Sequence, residues 1–379
     1  MLTRPPAQES ALPPGRNLRR ERKLWHDAKT NTASMGCAGC PEIGVCGGLR
    51  VSTALFDCLN FCCGTPESCD RVCRYHPDFA ARVREVETFA LETVARAPRL
   101  PTPTLPRVVP ILYHGHRRTT PLEHDTVALS LYGMFDRRSG ALRYGSHEAV
   151  CQEYRIQPGA QLILTGTTTD APLERWWELG ESGRRRVLRS LPGLGVVLAT
   201  TPNYSVFTDQ PRWGDLHSMK RIAIVQQEFA SEGIPTALHI NGRTDQDFRR
   251  WADYVASRPE ITHLAYEFTT GTRWPGRREQ HARWLAEVAA AAGRPLELVV
   301  RGGSEVLPEL LGAFPQVTVL NATAFMKTMM RRRALCGPTA SLQWLPSPTP
   351  NGATLDDLLA DNVAAVTGVP RTSLVPTGQ

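Results

Sequence analysis

From position 108 onward, short apolar β-branched runs alternate with longer stretches of helical periodicity. The runs are VVPILYH (108–114), TVALSLYGMF (126–135), QLILTGTT (161–168), GVVLATTP (195–202), TALHIN (236–241), THLAYEFT (262–269), LELVVRG (296–302) and VTVLNA (317–322), and each reads as a strand. Amphipathic stretches at 145–155, 172–191, 212–232, 245–257, 277–292 and 304–313 read as helices between them. The interval between 114 and 126 has no helical pattern. Eight strands, most of them followed by a helix, over about 215 residues predict an α/β fold of the (β/α)8 TIM-like barrel type. The competing arrangement is an open doubly wound sheet. Against it, no Gly-x-Gly-x-x-Gly follows the first strand.

The flanks have different patterns. Residues 1–35 carry Pro5, Pro6, Pro13, Pro14 and Gly15 and then a basic run from Arg16 to Lys23, and read as a flexible arm. Residues 36–77 form a cysteine-rich module. In 78–97, Phe79, Val83, Val86, Phe89 and Val94 recur at helical spacing, which predicts one amphipathic helix. Prolines 98, 101, 103, 106 and 110 then forbid a helix and favour an extended linker. The expected organisation is arm 1–35, metal module 36–77, helix and linker 78–107, barrel 108–335, and a Pro-rich extension 336–379 with one short helix near 354–366.

Composition narrows the function classes. The 379 residues are 41% hydrophobic and 21% charged, which suits a packed core and excludes wholesale disorder. No apolar run approaches the ~18 residues a membrane helix needs, and the polar N-terminal segment lacks a signal-peptide core. A cytoplasmic protein with no membrane partner is therefore expected; the oligomeric state is left open. The net charge of +7 and a pI near 9.0 point to a nucleic acid or a phosphorylated substrate. Seven cations lie in residues 1–35 against Glu9, Glu21 and Asp27, so the arm is either a solvated tail or a phosphate-binding one.

Eight of the ten cysteines fall between Cys37 and Cys73: Cys37, Cys40, Cys46, Cys58, Cys62, Cys63, Cys69 and Cys73. Glycines 36, 39, 44, 47, 48 and 64 are interleaved, and glycine-rich turns let several sulfurs converge. In a reducing compartment this density predicts a metal site rather than disulfides. Zn2+ is preferred from the Cys-x-x-Cys start. A [4Fe-4S] cluster is the alternative, on the uneven spacings. The Cys-x3-Cys-x2-Cys triplet of radical S-adenosylmethionine enzymes is not present.

In a barrel the chemistry sits at the C-terminal ends of the strands. His239 and Asn241 are two residues apart and share a strand face, as hydrogen-bonded core groups or as site residues. Glu267 interrupts an apolar strand, with Arg301 on the next strand as its natural partner. The two make either a structural ion pair or a general base with an anion-orienting arginine. Gly302, Gly303 and Ser304 open a helix after strand seven, either as a phosphate cradle or as a simple turn with Ser304 as N-cap. Asp209, in the loop after strand four, is a candidate nucleophile or base, or an ordinary turn residue. His114 and Asn203 complete the candidate substrate-binding set. Lys327 and Arg331 to Arg333 follow strand eight, as a solvated helix end or a second phosphate patch.

Segment 201–271, with Pro202-Asn-Tyr-Ser205, Asp209, Pro211, Arg221 and Gly233-Ile-Pro235, resembles a family of uncharacterised barrel-like domains of phages and bacteria. That resemblance covers about a fifth of the chain and implies a domain, not a reaction. The chain is more distantly similar to tRNA-guanine transglycosylase-type barrels. That similarity implies an aspartate nucleophile and a cysteine-bound zinc beside a barrel. Here the cysteines precede the barrel rather than follow it, and no Asp-Ser-Gly-Gly-Phe segment is present. The leading expectation is thus a metal-containing barrel enzyme acting on a nucleic acid or nucleotide. Its expected chemistry is base exchange or hydrolysis at a glycosidic carbon, with Asp209, His239 and Glu267 catalytic. The alternatives are an iron–sulfur redox enzyme and a non-enzymatic nucleic-acid-binding protein of a phage or defence system.

Overall fold

The computed structural model describes residues 32–33, 50–51, 79–136, 138–206, 212–269, 276–336 and 342–368. The cysteine module and Asp209 lie outside them. The chain divides into two compact units. The larger comprises residues 95–204, 222–240 and 251–379, and the smaller 1–94, 205–221 and 241–250.

The larger unit is built on eight parallel strands: β1 (Val108–Pro110), β2 (Thr126–Ser130), β3 (Gln161–Thr165), β4 (Val196–Thr200), β5 (Thr236–His239), β6 (His263–Glu267), β7 (Glu297–Arg301) and β8 (Val317–Asn321). Each pairs with its neighbours in sequence, and β8 pairs with β1. A parallel bridge between Ile111 and Ala128, with Leu112 N–H donating to Ala128 at 2.9 Å, joins β1 to β2 and brings the sheet round into a barrel. All eight predicted strands are present. The fold is mixed α/β of the TIM-like type.

One apolar layer fills the barrel: Val109, Ile111, Ala128, Ile163, Leu198, Ala237, Ala265, Val299 and Leu320. Alanines on β2, β5 and β6 alternate with larger branched residues on the other strands. Leu105 of the proline-rich linker joins this layer from the N-terminal end. Carbonyls 105 and 106 take the side chains of Gln316 and Thr318, so the extended linker is tied down as a strap.

The helices α2 (His147–Tyr154), α3 (Asp170–Glu178), α4 (Gly180–Ser190), α5 (Arg212–Ser231), α6 (Asp245–Ala256), α7 (Arg277–Ala292), α8 (Leu307–Ala313) and α9 (Thr323–Met329) follow β2 to β8. The stretch read as one helix at 172–191 is two, broken at Leu179–Gly180, where Gly180 has φ +67°. Buried Arg184 donates from Nε and Nη2 to the two carboxylate oxygens of Glu228, at 2.7 and 2.6 Å, and lies 4.2 Å over the Trp177 ring.

No helix follows β1, as the sequence predicts. The C-terminal helix α10 (Asp356–Thr367) packs beside β1, and Asp356 accepts the Thr119 and Thr120 amides. Before it comes an antiparallel hairpin, β9 (Arg332–Cys336) and β10 (Leu342–Pro346), that the sequence pattern does not announce.

In the smaller unit, α1 spans only Phe79–Glu85, not 78–97. Glu87 takes φ +65°, and Leu91–Thr93 forms a single 3-10 turn. Arg250 Nη2 donates to the Phe89 carbonyl at 2.7 Å, and the buried Lys220 ammonium donates to the Ala90 carbonyl and the Thr93 hydroxyl. Those partners replace the internal bonds of a longer helix, while Val83, Val86, Phe89 and Val94 stay buried. Thr244 and Asp247 cap α6 reciprocally, as Thr244 N–H donates to Asp247 and Asp247 N–H to the Thr244 hydroxyl. Arg243 and Asp215 form a buried ion pair at 2.9 Å. Among the described residues, no helix is long and apolar enough to cross a membrane.

Candidate active site at the barrel mouth

Six consecutive strands end on a polar residue: Ser130, Thr165, Thr200, His239, Glu267 and Arg301. Each stands two positions beyond a member of the apolar layer, and so on the same strand face. The barrel thus changes from hydrocarbon to hydrogen-bonding groups within one layer, at the end where barrels do chemistry. Thr165 and Thr200 serve the backbone: their hydroxyls accept the Thr167 amide at 3.2 Å and the Gly166 amide at 2.9 Å. His239, Glu267 and Arg301 remain as the chemically equipped part.

Glu267 is paired in register with Arg301. Its Oε1 accepts the Thr269 amide at 2.9 Å and the Thr269 hydroxyl. Its Oε2 is buried without a hydrogen bond among the described residues and lies 3.7 Å from Arg301 Nε. Burial raises the carboxyl's pKa; the Thr269 bonds and the Arg301 charge offset this only in part. Arg301 is partly exposed and donates from Nη2 to the Tyr113 hydroxyl at 3.1 Å. Between a reluctant carboxylate and a phenol, its guanidinium keeps donors for an incoming anion.

His239 is 2% exposed, and neither ring nitrogen has a hydrogen-bond partner among the described residues. Its ring lies 6.1 Å from Tyr266, nearly parallel. Burial lowers its pKa to about 3, so at neutral pH the imidazole is uncharged and holds no spare proton. A neutral imidazole can give or take a hydrogen bond but stores no extra proton. Asn241 is not on the strand face with it, because β5 ends at His239 and Asn241 lies in the following loop.

Gly302 and Gly303 have φ +74° and +76°. A Cβ on either would meet Thr269 or the Phe268 ring at 2.6 Å. The glycine pair thus lets the end of β7 lie against the end of β6, which holds Arg301 beside Glu267. Ser304 is not an N-cap. Gly303 occupies that position, before a 3-10 turn at Ser304–Val306 and the seven-residue α8. The Glu305 carboxylate already takes its own amide and the Ser304 hydroxyl, and pairs with Arg278 at 2.6 Å.

His114 stands just past β1, with its ring 4.9 Å from Phe325 and its Nδ1 accepting the His116 amide at 3.2 Å. Burial, then the charges of His116 and Arg118, lower its pKa. Asn203 is half-buried after β4, its amide donating to the Gly166 carbonyl at 3.4 Å. Asn321 caps α9, its Oδ1 accepting the Thr323 amide at 2.8 Å. Tyr113, which ties Arg301 to β1, is absent from the sequence-derived set, as are Ser130 and Thr200. The signal for all three is a polar group two residues after a core position. Among the described residues, no three His, Cys, Asp or Glu side chains are arranged to hold a metal ion. The chain matches no protein-family model, and it matches no curated protein.

Proposed function

We propose that the barrel is an enzyme acting on a nucleic acid or nucleotide at its C-terminal mouth, by base exchange or hydrolysis at a glycosidic carbon. The observation that carries this reading is the Glu267–Arg301 pair: a buried carboxyl with one oxygen free of hydrogen bonds among the described residues, 3.7 Å from a partly exposed guanidinium. In this reading Glu267 is the general acid that protonates the departing base, because its raised pKa keeps a proton available. Arg301 binds the neighbouring phosphate as a planar fork. Neutral His239 offers a hydrogen bond to the base, and Asp209 supplies the nucleophile or the base for water. The substrate class is supported by the net charge of +7. The eight cysteines of residues 36–77 hold Zn2+ or a [4Fe-4S] cluster, a proposal taken up in the Discussion.

The test is release of free base from single-stranded and duplex DNA and RNA oligonucleotides and from nucleoside monophosphates, read by chromatography. Glu267→Gln keeps the shape and removes the transferable proton, and is expected to lower the rate by about 10²–10⁴-fold. The wild-type rate is expected to fall as pH rises through the raised pKa of Glu267, because the acid form is the active one. A Glu267→Gln protein of full activity refutes the site, and no base released from any substrate refutes the reaction class.

A further inference from the structure

From Arg301 a series of contacts leads out to side chains that the acid–base reading does not use. Arg301 donates to Tyr113, the Tyr113 ring lies 5.5 Å from Phe325, and Phe325 belongs to α9. On the same helix, the Lys327 ammonium stands 6.0 Å over the ring of Trp344 on β10. Trp344 is paired in register with Ala334, and the Trp344 carbonyl accepts Arg332 at 3.5 Å. Phe325 itself is 2% exposed and Lys327 stands two positions further along α9, so the accessible groups are Tyr113 and Arg301 at the mouth and Lys327, Arg332 and Trp344 beyond the helix, all within the larger unit. Tyr113 is 38% exposed, and Met330 at the end of α9 is 61% exposed.

On α3 and α4, Arg175, Arg185 and Arg189 are each paired with Glu178, Glu181 or Glu232. Lys327, Arg331 and Arg332 make no ion pair among the described residues. Arg333 is neutralised by Asp361. Cations without an ion pair among the described residues, near the exposed Tyr113 ring and the partly buried Trp344 ring, suit a chain that alternates phosphates with planar bases, and suit a duplex poorly because its bases are already stacked. A free nucleotide would reach the mouth without engaging the hairpin.

We propose that α9 and the β9–β10 hairpin form a track that leads a single-stranded nucleic acid to the barrel mouth. Tyr113 stacks one base beside Arg301, and Lys327 and Arg332 hold backbone phosphates. This rests on the proposed action on nucleic acid and assigns its substrate as single-stranded.

The experiment is fluorescence anisotropy of the full chain with labelled single-stranded DNA, single-stranded RNA and duplex DNA over a series of salt concentrations. The N-terminal cations are common to every variant, so the difference between variants reads the track alone. The wild type is expected to bind single strands more tightly than the duplex. K327E combined with R332E is expected to weaken single-strand binding at least tenfold and to flatten the log–log salt slope by about 1.4, at ~0.7 per phosphate. Tyr113→Ala is expected to weaken it about tenfold with the salt slope unchanged. Thermal unfolding of each variant, expected to match the wild type, keeps a folding defect from mimicking the result. Wild-type binding that both variants retain overturns the track while leaving the action on nucleic acid standing. A duplex preference overturns the single-stranded assignment. Absence of any oligonucleotide binding overturns the track and the substrate class together.

Discussion

Burial drives histidines and carboxyls in this barrel toward their uncharged forms, and this has a measurable consequence at the level of single residues. His239 at the mouth and His263 on β6 have pKa values lowered by burial to about 3 and about 4, against 6.5 in the unfolded chain. His263 gains no compensating charge: Glu297 lies 3.1 Å away, but the imidazole Nε2 makes no hydrogen bond and the Glu297 pKa is itself raised. Between pH 6.5 and pH 4 the unfolded chain binds protons that the folded chain refuses. The stability these histidines permit is thus fully present above pH 6.5 and is lost as pH falls, by up to about 1.4 kcal/mol per unit for each. Raised carboxyls such as Glu228 and Glu267 act in the opposite sense, losing their contribution as pH rises through their folded values. Urea unfolding at pH 7, 5.5 and 4.5 is expected to show the wild type losing roughly 1–3 kcal/mol on acidification, given that partial offset. The double variant His239→Gln, His263→Gln is expected to start less stable but to follow a visibly shallower acid limb. Equal slopes for the two proteins would mean that these imidazoles are not held neutral.

At the level of elements, most of the barrel is legible because β-branched apolar runs and helical periodicity act locally. The runs around Ile163, Leu198 and Val299 predict strands, and those strands form the apolar layer. What local pattern does not convey is where a side chain from a distant element takes over a backbone group. The stretch 78–97 has the spacing of one helix, yet Arg250 and Lys220 claim the carbonyls of Phe89 and Ala90 and the helix ends at Glu85. The Glu267–Arg301 pair is legible from an acid in an apolar strand, and Tyr113 from its place two residues after Ile111, whereas the bond from Arg301 to Tyr113 becomes visible only once β8 brings β1 and β7 together. The hairpin after α9 is the clearest omission, since a two-stranded sheet is marginal by its own propensity. It is held by Asn362 of α10, which is fully buried. Its Oδ1 accepts the Ala334 amide at 2.7 Å, and its Nδ2 donates to the Arg332 carbonyl at 2.8 Å and the Thr328 hydroxyl at 2.9 Å. Asn362→Leu removes three bonds and leaves an amide and a carbonyl unpaired in the interior, at a cost of about 2–4 kcal/mol. Thermal unfolding is expected to register that loss. Hydrogen exchange is expected to show the amide of Ala334 exposed before the barrel strands open. A variant as stable as the wild type would show that the hairpin is anchored elsewhere.

At the level of the whole molecule, the two features that set the functional reading are unevenly distributed. Lys327, Arg331 and Arg332 make no ion pair among the described residues, while much of the charge on α3 and α4 is cancelled pairwise. The cysteines are concentrated more sharply still, with eight in the 37 residues from Cys37 to Cys73 and only Cys151 and Cys336 elsewhere. Cys151 is a buried thiol whose pKa is raised by that burial, with its Sγ 3.4 Å from His147 Nε2. The proposed metal is assigned to the module of residues 36–77 from its cysteines alone. Elemental analysis and an absorption spectrum of protein purified without oxygen decide between the cofactors. The expected result is colourless protein with about one or two zinc ions per chain, four thiolates satisfying each tetrahedral site. Cys37→Ser combined with Cys40→Ser is expected to lower the zinc content, since both belong to the Cys-x-x-Cys start. A brown protein absorbing near 400 nm, with about four irons per chain, would replace zinc by a [4Fe-4S] cluster and turn the reading toward redox chemistry. Protein free of both metals would remove the cofactor from the proposal and leave the Glu267–Arg301 pair to carry the chemistry without it.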